Sequence, residues 1–127
     1  MDSGIYKEEL MDVYKNPQNR GKLDDPSVAV LERNPMCGDE INLQLSIKDG
    51  IIEDARFDGS ACAVSIISSA LVTDEIKGKT LDELKTYDRR KVLDLVGLNL
   101  STSRVKCATL ILSAVQSAIK KYESTNK

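Results

Sequence analysis

The stretch Asn34-Pro35-Met36-Cys37-Gly38-Asp39 sets a thiol and a carboxyl two residues apart across a glycine. A thiolate and a carboxylate at that spacing can reach one metal ion if the backbone between them bends tightly. Gly38 permits such a bend because it has no Cβ. Pro35 removes an amide donor and biases Asn34 away from helical geometry, so the stretch reads as a loop. Taken alone, Cys37 reads equally well as a small buried hydrophobe. Two further cysteines, Cys62 and Cys107, are what the rest of the chain would have to bring to this loop. The chain contains no histidine, so a Cys–His catalytic pair cannot be built from it alone. Any metal site must use thiolate, carboxylate or a less usual ligand. General acid–base work is limited to carboxylates, lysines, tyrosines and thiols.

The elements that must position these groups follow from local pattern. Ile41, Leu43, Leu45 and Ile47 alternate with polar residues, the period of a half-buried strand. Asp49-Gly50 signals a two-residue hairpin turn, and 51–57 returns as the partner strand. Phe57-Asp58-Gly59-Ser60 then comes back beside Asp39 at the open end of the hairpin, with Gly59 and Ser60 expected to break the strand. Val28 to Leu31 forms a short strand before the cysteine loop.

Helices are expected over 4–15, capped by Ser3 with Tyr6, Leu10, Val13 and Tyr14 on one stripe, and over 61–76. The second would carry Ala63, Ile66, Ile67, Ala70 and Leu71 on its apolar face and Cys62 in its first turn. There free amides and the helix dipole favour a thiolate; the plainer reading of Cys62 is a small residue where helix meets sheet. Thr80-Leu81-Asp82-Glu83 fits a capping box, and Asp88 caps a helix that stops at Gly97. Residues 100–103 read as a linker. Ser103 would cap one last helix to about Tyr122, with Cys107 near its first turn and Ala108, Ile111, Leu112, Val115 and Ile119 as its stripe. All three cysteines thus fall at element ends, which can cluster at one exposed tip of a small domain.

Composition narrows the class. The 127 residues suit a single domain over 1–127. A net charge of −2 argues against nucleic acid as a main partner. No apolar run approaches the ~20 residues of a membrane span. Met1-Asp2-Ser3-Gly4 does not open a secretory signal, so the expected location is cytoplasmic, with reduced thiols. Three cysteines also argue against a disulfide framework. No zinc-ribbon C-x-x-C pair is present.

These motifs in order resemble the IscU/NifU-type iron–sulfur cluster assembly scaffolds, including the related SufU proteins. The resemblance rests on Asn34 to Asp39 and on the hairpin return Gly50-Ile51-Ile52-Glu53-Asp54-Ala55-Arg56-Phe57. It rests also on Cys62 with Ala63 and Ser65 to Ser69, on Leu71-Val72-Thr73, on Lys77 to Leu81, and on Arg104-Val105-Lys106-Cys107-Ala108-Thr109-Leu110. Lysine at 106 is a SufU feature where the IscU branch carries histidine. The longer SufU insertion between the second and third cysteines is absent. Leu100-Ser101-Thr102-Ser103-Arg104 replaces the chaperone-recognition stretch of IscU.

The resemblance implies an α+β fold of the SufE/NifU type, a three-stranded antiparallel sheet with helices packed on one face. It implies Cys37, Asp39, Cys62 and Cys107 as ligands of a transient [2Fe–2S] cluster or of Zn²⁺ in the same site. It implies a cysteine desulfurase, an iron donor and acceptor apo-proteins such as ferredoxin as partners, and it allows a dimer when the cluster is loaded. Any of the three cysteines is a candidate sulfur acceptor. Three thiolates and a carboxylate carry −4, reduced to −2 by Zn²⁺ or a [2Fe–2S]²⁺ core. Lys106 and Arg104 are candidates to offset the remainder as modulating residues. A carboxylate is a harder, more exchangeable ligand than the fourth cysteine of a permanent ferredoxin site. The function expected is therefore a non-enzymatic assembly scaffold. The alternative is a zinc-dependent sulfurtransferase partner of the desulfurase, in which a cysteine freed from zinc accepts persulfide sulfur.

Overall fold

The computed structural model describes residues 11–34, 38–97 and 102–125. Three strands, β1 (Val28–Asn34), β2 (Asp39–Lys48) and β3 (Ile51–Ser60), form one antiparallel sheet in the order β1-β2-β3. Five helices follow among the described residues: α1 (Ala63–Ile76), α2 (Leu81–Lys85), α3 (Arg89–Val96), α4 (Thr102–Ala108) and α5 (Leu110–Thr125). Residues 11–15 are also helical. The remainder of the helix expected over 4–15 lies outside the described residues, as do Pro35 to Cys37 and the side chain of Arg104.

The alternation read from β2 governs the layers. Ile41, Leu43 and Leu45 are fully buried, whereas Asn42, Gln44 and Ser46 on the other face are only partly covered. Leu43 pairs with Phe57 and Leu45 with Ala55, so the inward rows of both strands coincide. Burying each such large apolar side chain contributes about 1.5–3 kcal/mol. Helix α5 packs on β1 and β2, α1 packs on β3, and α3 and α4 pack on α1, all on the inward face. Asp49 and Gly50 both have positive φ, 55° and 74°, and close the expected two-residue hairpin. Thr80 and Asp88 cap α2 and α3 by accepting from the amides of Glu83 and Lys91, and Gly97 ends α3 in the left-handed conformation.

Four local expectations are overturned, each for a physical reason. Gly59 and Ser60 do not break β3, which runs through them: Gly59 pairs with Ile41 and Ser60 with Glu40. A Cβ on Gly59 would stand 2.1 Å from the Glu40 carbonyl oxygen, so glycine here lets two strands approach. Cys62 is not in the first turn of α1 but is its N-cap residue. Helix α1 has no single apolar stripe either, because Ser65, Ser68, Ser69 and Thr73 are buried along with Ile66, Ile67, Ala70, Val72 and Ile76. Leu71 is only partly buried.

The last helix is two helices. It already runs at Thr102, so Ser103 is not its cap, and it breaks at Thr109. The carbonyl of Ala108 accepts from the Ser68 hydroxyl, and the amide of Leu112, which a regular helix would aim at that carbonyl, bonds Thr109 instead. Cys107 therefore sits in the last turn of α4, not in a first turn. The predicted stripe of α5 is nonetheless buried throughout.

Candidate metal site

Three elements meet where β2 begins. Gly38 has φ 76° and donates its N–H to the Asn34 carbonyl at 2.8 Å, which folds the chain between β1 and β2. Asn34 and Asp39 close the pairing of those strands. Asp39 thus enters β2 on its inward row and is 4% exposed. The extended end of β3 delivers Cys62 to the same point. Its amide, one of the orphan donors at the start of α1, bonds Asp39 Oδ1 at 3.0 Å. Cys62 is half-buried, and its thiol points at the Ser65 hydroxyl, 3.8 Å away.

Helix α4 supplies Cys107, 3% exposed. The serines of α1 fasten its end: Ser65 Oγ lies 2.8 Å from the Cys107 carbonyl, and Ser68 holds the carbonyl of Ala108. The break takes the Leu112 amide away from the Ala108 carbonyl, and the Ser68 hydroxyl bonds that carbonyl instead. Ser65 Oγ also lies 2.7 Å from Asp39 Oδ2.

As a result one carboxylate oxygen of Asp39 and the sulfurs of Cys62 and Cys107 all lie within 4.8 Å of one another. A tetrahedral zinc ion with Zn–S bonds of about 2.3 Å separates its sulfur ligands by roughly 3.8 Å. The donor set needs to close by no more than about 1 Å to surround one ion. Its chemistry, two soft thiols with one carboxylate and no imidazole, suits zinc or an iron–sulfur core. Neither cysteine is in a disulfide.

Of the residues singled out from the sequence, Asp39, Cys62 and Cys107 are together, recessed beneath the surface rather than laid out on it. Cys37 lies outside the described residues, two positions from Asp39. Lys106, next to Cys107, is exposed. Ser65, buried at 1%, was missed by sequence reasoning. The signal that could have found it is a hydroxyl three positions after Cys62, in the first turn of the helix that Cys62 caps. Beside the site, the Asp58 carboxyl is held below its ordinary pKa, first by the Gly59 amide and then by Arg20. Arg20 also donates to the Gly59 carbonyl at 3.0 Å, pinning the strand end next to Cys62. No helix among the described residues is long and apolar enough to cross a membrane.

Comparison with known proteins finds relatives over nearly the whole chain. The model of the NifU-like N terminal domain matches residues 5–127. The zinc-dependent sulfurtransferase SufU of Bacillus subtilis (strain 168) is 36% identical over 139 residues, covering 96% of this chain and 94% of SufU. The iron–sulfur cluster assembly scaffold protein IscU of Escherichia coli (strain K12) is 38% identical over 123 residues, covering 94% of each. The crystal structure of SufU from Fervidobacterium islandicum AW-1 superposes with a TM-score of 0.76 at 26% identity, over 94% of this chain and 99% of that one.

Proposed function

The chain belongs to the NifU-like N-terminal domain family, and on that premise we propose that it is a scaffold for [2Fe–2S] cluster assembly. Iron and desulfurase-derived sulfur are its substrates, and acceptor apo-proteins such as ferredoxin receive the finished cluster. The observation that carries this reading is the meeting of Asp39, Cys62 and Cys107 from three separate elements with their ligand atoms within 4.8 Å. Cys37 completes the set as fourth ligand. The tight bend at Gly38 supports this, because it folds the backbone between the two residues. A site of three thiolates and one carboxylate binds a cluster and also lets it go, the carboxylate being the bond most readily exchanged.

In this reading the protein is not an enzyme. Sulfane sulfur lands on Cys37, Cys62 or Cys107 as a persulfide, is reduced to sulfide by the ferrous iron and a thiol or ferredoxin reductant, and leaves within the cluster. The partly exposed Cys62 is the thiol of the described pair that a desulfurase reaches most easily. The thiol chemistry calls for a reducing compartment, and we assign the protein to the cytoplasm, as one domain over 1–127. A cluster-loaded dimer is compatible with the site.

A second reading, a zinc-dependent sulfurtransferase partner of the desulfurase, is supported by the SufU relative and by Lys106 beside Cys107. There Zn²⁺ occupies the same ligands, and a cysteine released from it takes the sulfane sulfur from the desulfurase persulfide, whose cysteine leaves as thiolate.

Anaerobic incubation with ferrous iron, cysteine, a cysteine desulfurase and a thiol reductant tests the two together. The scaffold reading predicts visible cluster absorption on this protein, followed by transfer to apo-ferredoxin. Absence of cluster absorption, with desulfurase turnover that rises only when zinc is bound, would overturn it in favour of the second.

A further inference from the structure

We propose that Ser65 is the positioning residue that aims Asp39 at the metal. This rests on the reading of Asp39, Cys62 and Cys107 as a metal site. The carboxylate of Asp39 is gripped at both oxygens: the Cys62 amide donates to Oδ1 at 3.0 Å, and the Ser65 hydroxyl reaches Oδ2 at 2.7 Å. A carboxylate oxygen has two lone pairs, so one that accepts a hydrogen bond can also ligate a metal. A metal-ligating carboxylate is ordinarily oriented in this way by outer hydrogen bonds.

The placement of Ser65 is specific. Its side chain is buried, and its oxygen faces all three members of the site. Asp39 Oδ2 lies at 2.7 Å, the Cys107 carbonyl at 2.8 Å and the Cys62 sulfur at 3.8 Å. A hydroxyl has one proton, so it donates to Asp39 or to the Cys107 carbonyl, not to both. The ionised carboxylate is the stronger acceptor. Ser68, one turn further along α1, makes the corresponding bond to the Ala108 carbonyl but has no bond to Asp39. The two serines therefore separate the tasks. Ser68 holds the end of α4, and Ser65 gives its proton to the carboxylate and orients it.

The test measures zinc dissociation constants by chelator competition, with d–d absorption of the cobalt(II) form as a second readout. Ser65→Ala is expected to weaken zinc about 10- to 100-fold, the usual cost of an outer-shell partner, and to shift the cobalt spectrum. Ser68→Ala is expected to match the parent. In an Asp39→Ala background, where three thiolates still bind the ion, Ser65→Ala is expected to have no further effect. An equal loss in Ser68→Ala, or a full loss in the Asp39→Ala background, would show that Ser65 acts only by holding α4 and would overturn the inference. So would parent-like affinity and spectrum in Ser65→Ala. Ser65→Thr, which keeps the hydroxyl, is expected to bind as the parent does and stands in if the alanine variant does not fold. A Ser65→Thr affinity as low as that expected for alanine also overturns it. A parent protein that binds neither zinc nor cobalt stoichiometrically would instead refute the metal-site reading itself.

Discussion

Gly59→Ala is expected to cost more than any other single-methyl addition near the site. The added Cβ would lie 2.1 Å from the Glu40 carbonyl oxygen, where carbon and oxygen ordinarily approach no closer than about 3.3 Å. The obstacle is backbone, so β3 must move about 1.2 Å away from β2. That stretches the two hydrogen bonds of the Glu40–Ser60 pair, at about 1 kcal/mol net for each one lost; Gly59 itself gives its N–H to Asp58 and its carbonyl to Arg20. Gly59 also has φ 146°, a conformation that adds about 1–3 kcal/mol for a residue with a side chain. The sum is roughly 3–5 kcal/mol. In a chain of this size it appears as a fall in Tm on the order of 10–20 °C. Urea unfolding of the metal-free protein, followed by far-ultraviolet circular dichroism, measures it directly. Zinc affinity should fall as well, because the moving strand end leads straight to Cys62. A loss under about 1 kcal/mol with unchanged zinc affinity would refute the close-approach reasoning.

Asp39→Ala should keep the fold and slow cluster transfer to apo-ferredoxin, because a less exchangeable donor takes the place of the carboxylate; circular dichroism of anaerobically loaded protein follows it, and transfer as fast as the parent's would count against a labile carboxylate. Lys106→Ala should leave metal stoichiometry unchanged, since Lys106 is exposed and its ammonium would have to lose a proton to ligate; elemental analysis showing lost metal would contradict this. Asp58 has a folded pKa below its unfolded value, so its contribution to stability is present above that unfolded value, about 3.9, and is lost as pH falls through the folded one. Asp58→Asn should remove that acid-side loss and flatten stability against pH below about 4; an unchanged acid limb in pH-dependent urea midpoints would tell against it.

The hairpin was legible because its information is local. Alternation from Ile41 to Ile47 and the Asp49-Gly50 turn fix both strands, but not a bulge that shifts the register by one residue, from Ile47 on Ile52 to Ser46 on Asp54. The caps at Thr80, Asp88 and Gly97 are local in the same way. Gly59 was misread because a glycine that ends a strand and one that admits a neighbouring carbonyl look alike in sequence; the difference lies in Glu40, on another strand. The break at Thr109 and the place of Cys107 at a helix end were hidden for a similar reason. They go with Ser68, forty residues earlier, bonding the carbonyl of Ala108 in place of the Leu112 amide. The apolar periodicity from Ala108 to Ile119 carries no trace of that competition. Residues 57–60 were expected beside Asp39, because the open end of a hairpin returns the chain to its start, and Cys62 follows two residues on. The bond between the Cys62 amide and the carboxylate follows from that return.

X-ray absorption at the zinc edge of the zinc-loaded protein tests the central claim most directly, since it counts the ligands that Cys37, Asp39, Cys62 and Cys107 are said to supply. The account predicts three sulfurs at about 2.3 Å and one oxygen at about 2.0–2.2 Å, the oxygen replaced or lost in Asp39→Ala. Two or fewer sulfurs, or a first shell unchanged by Asp39→Ala, would contradict it.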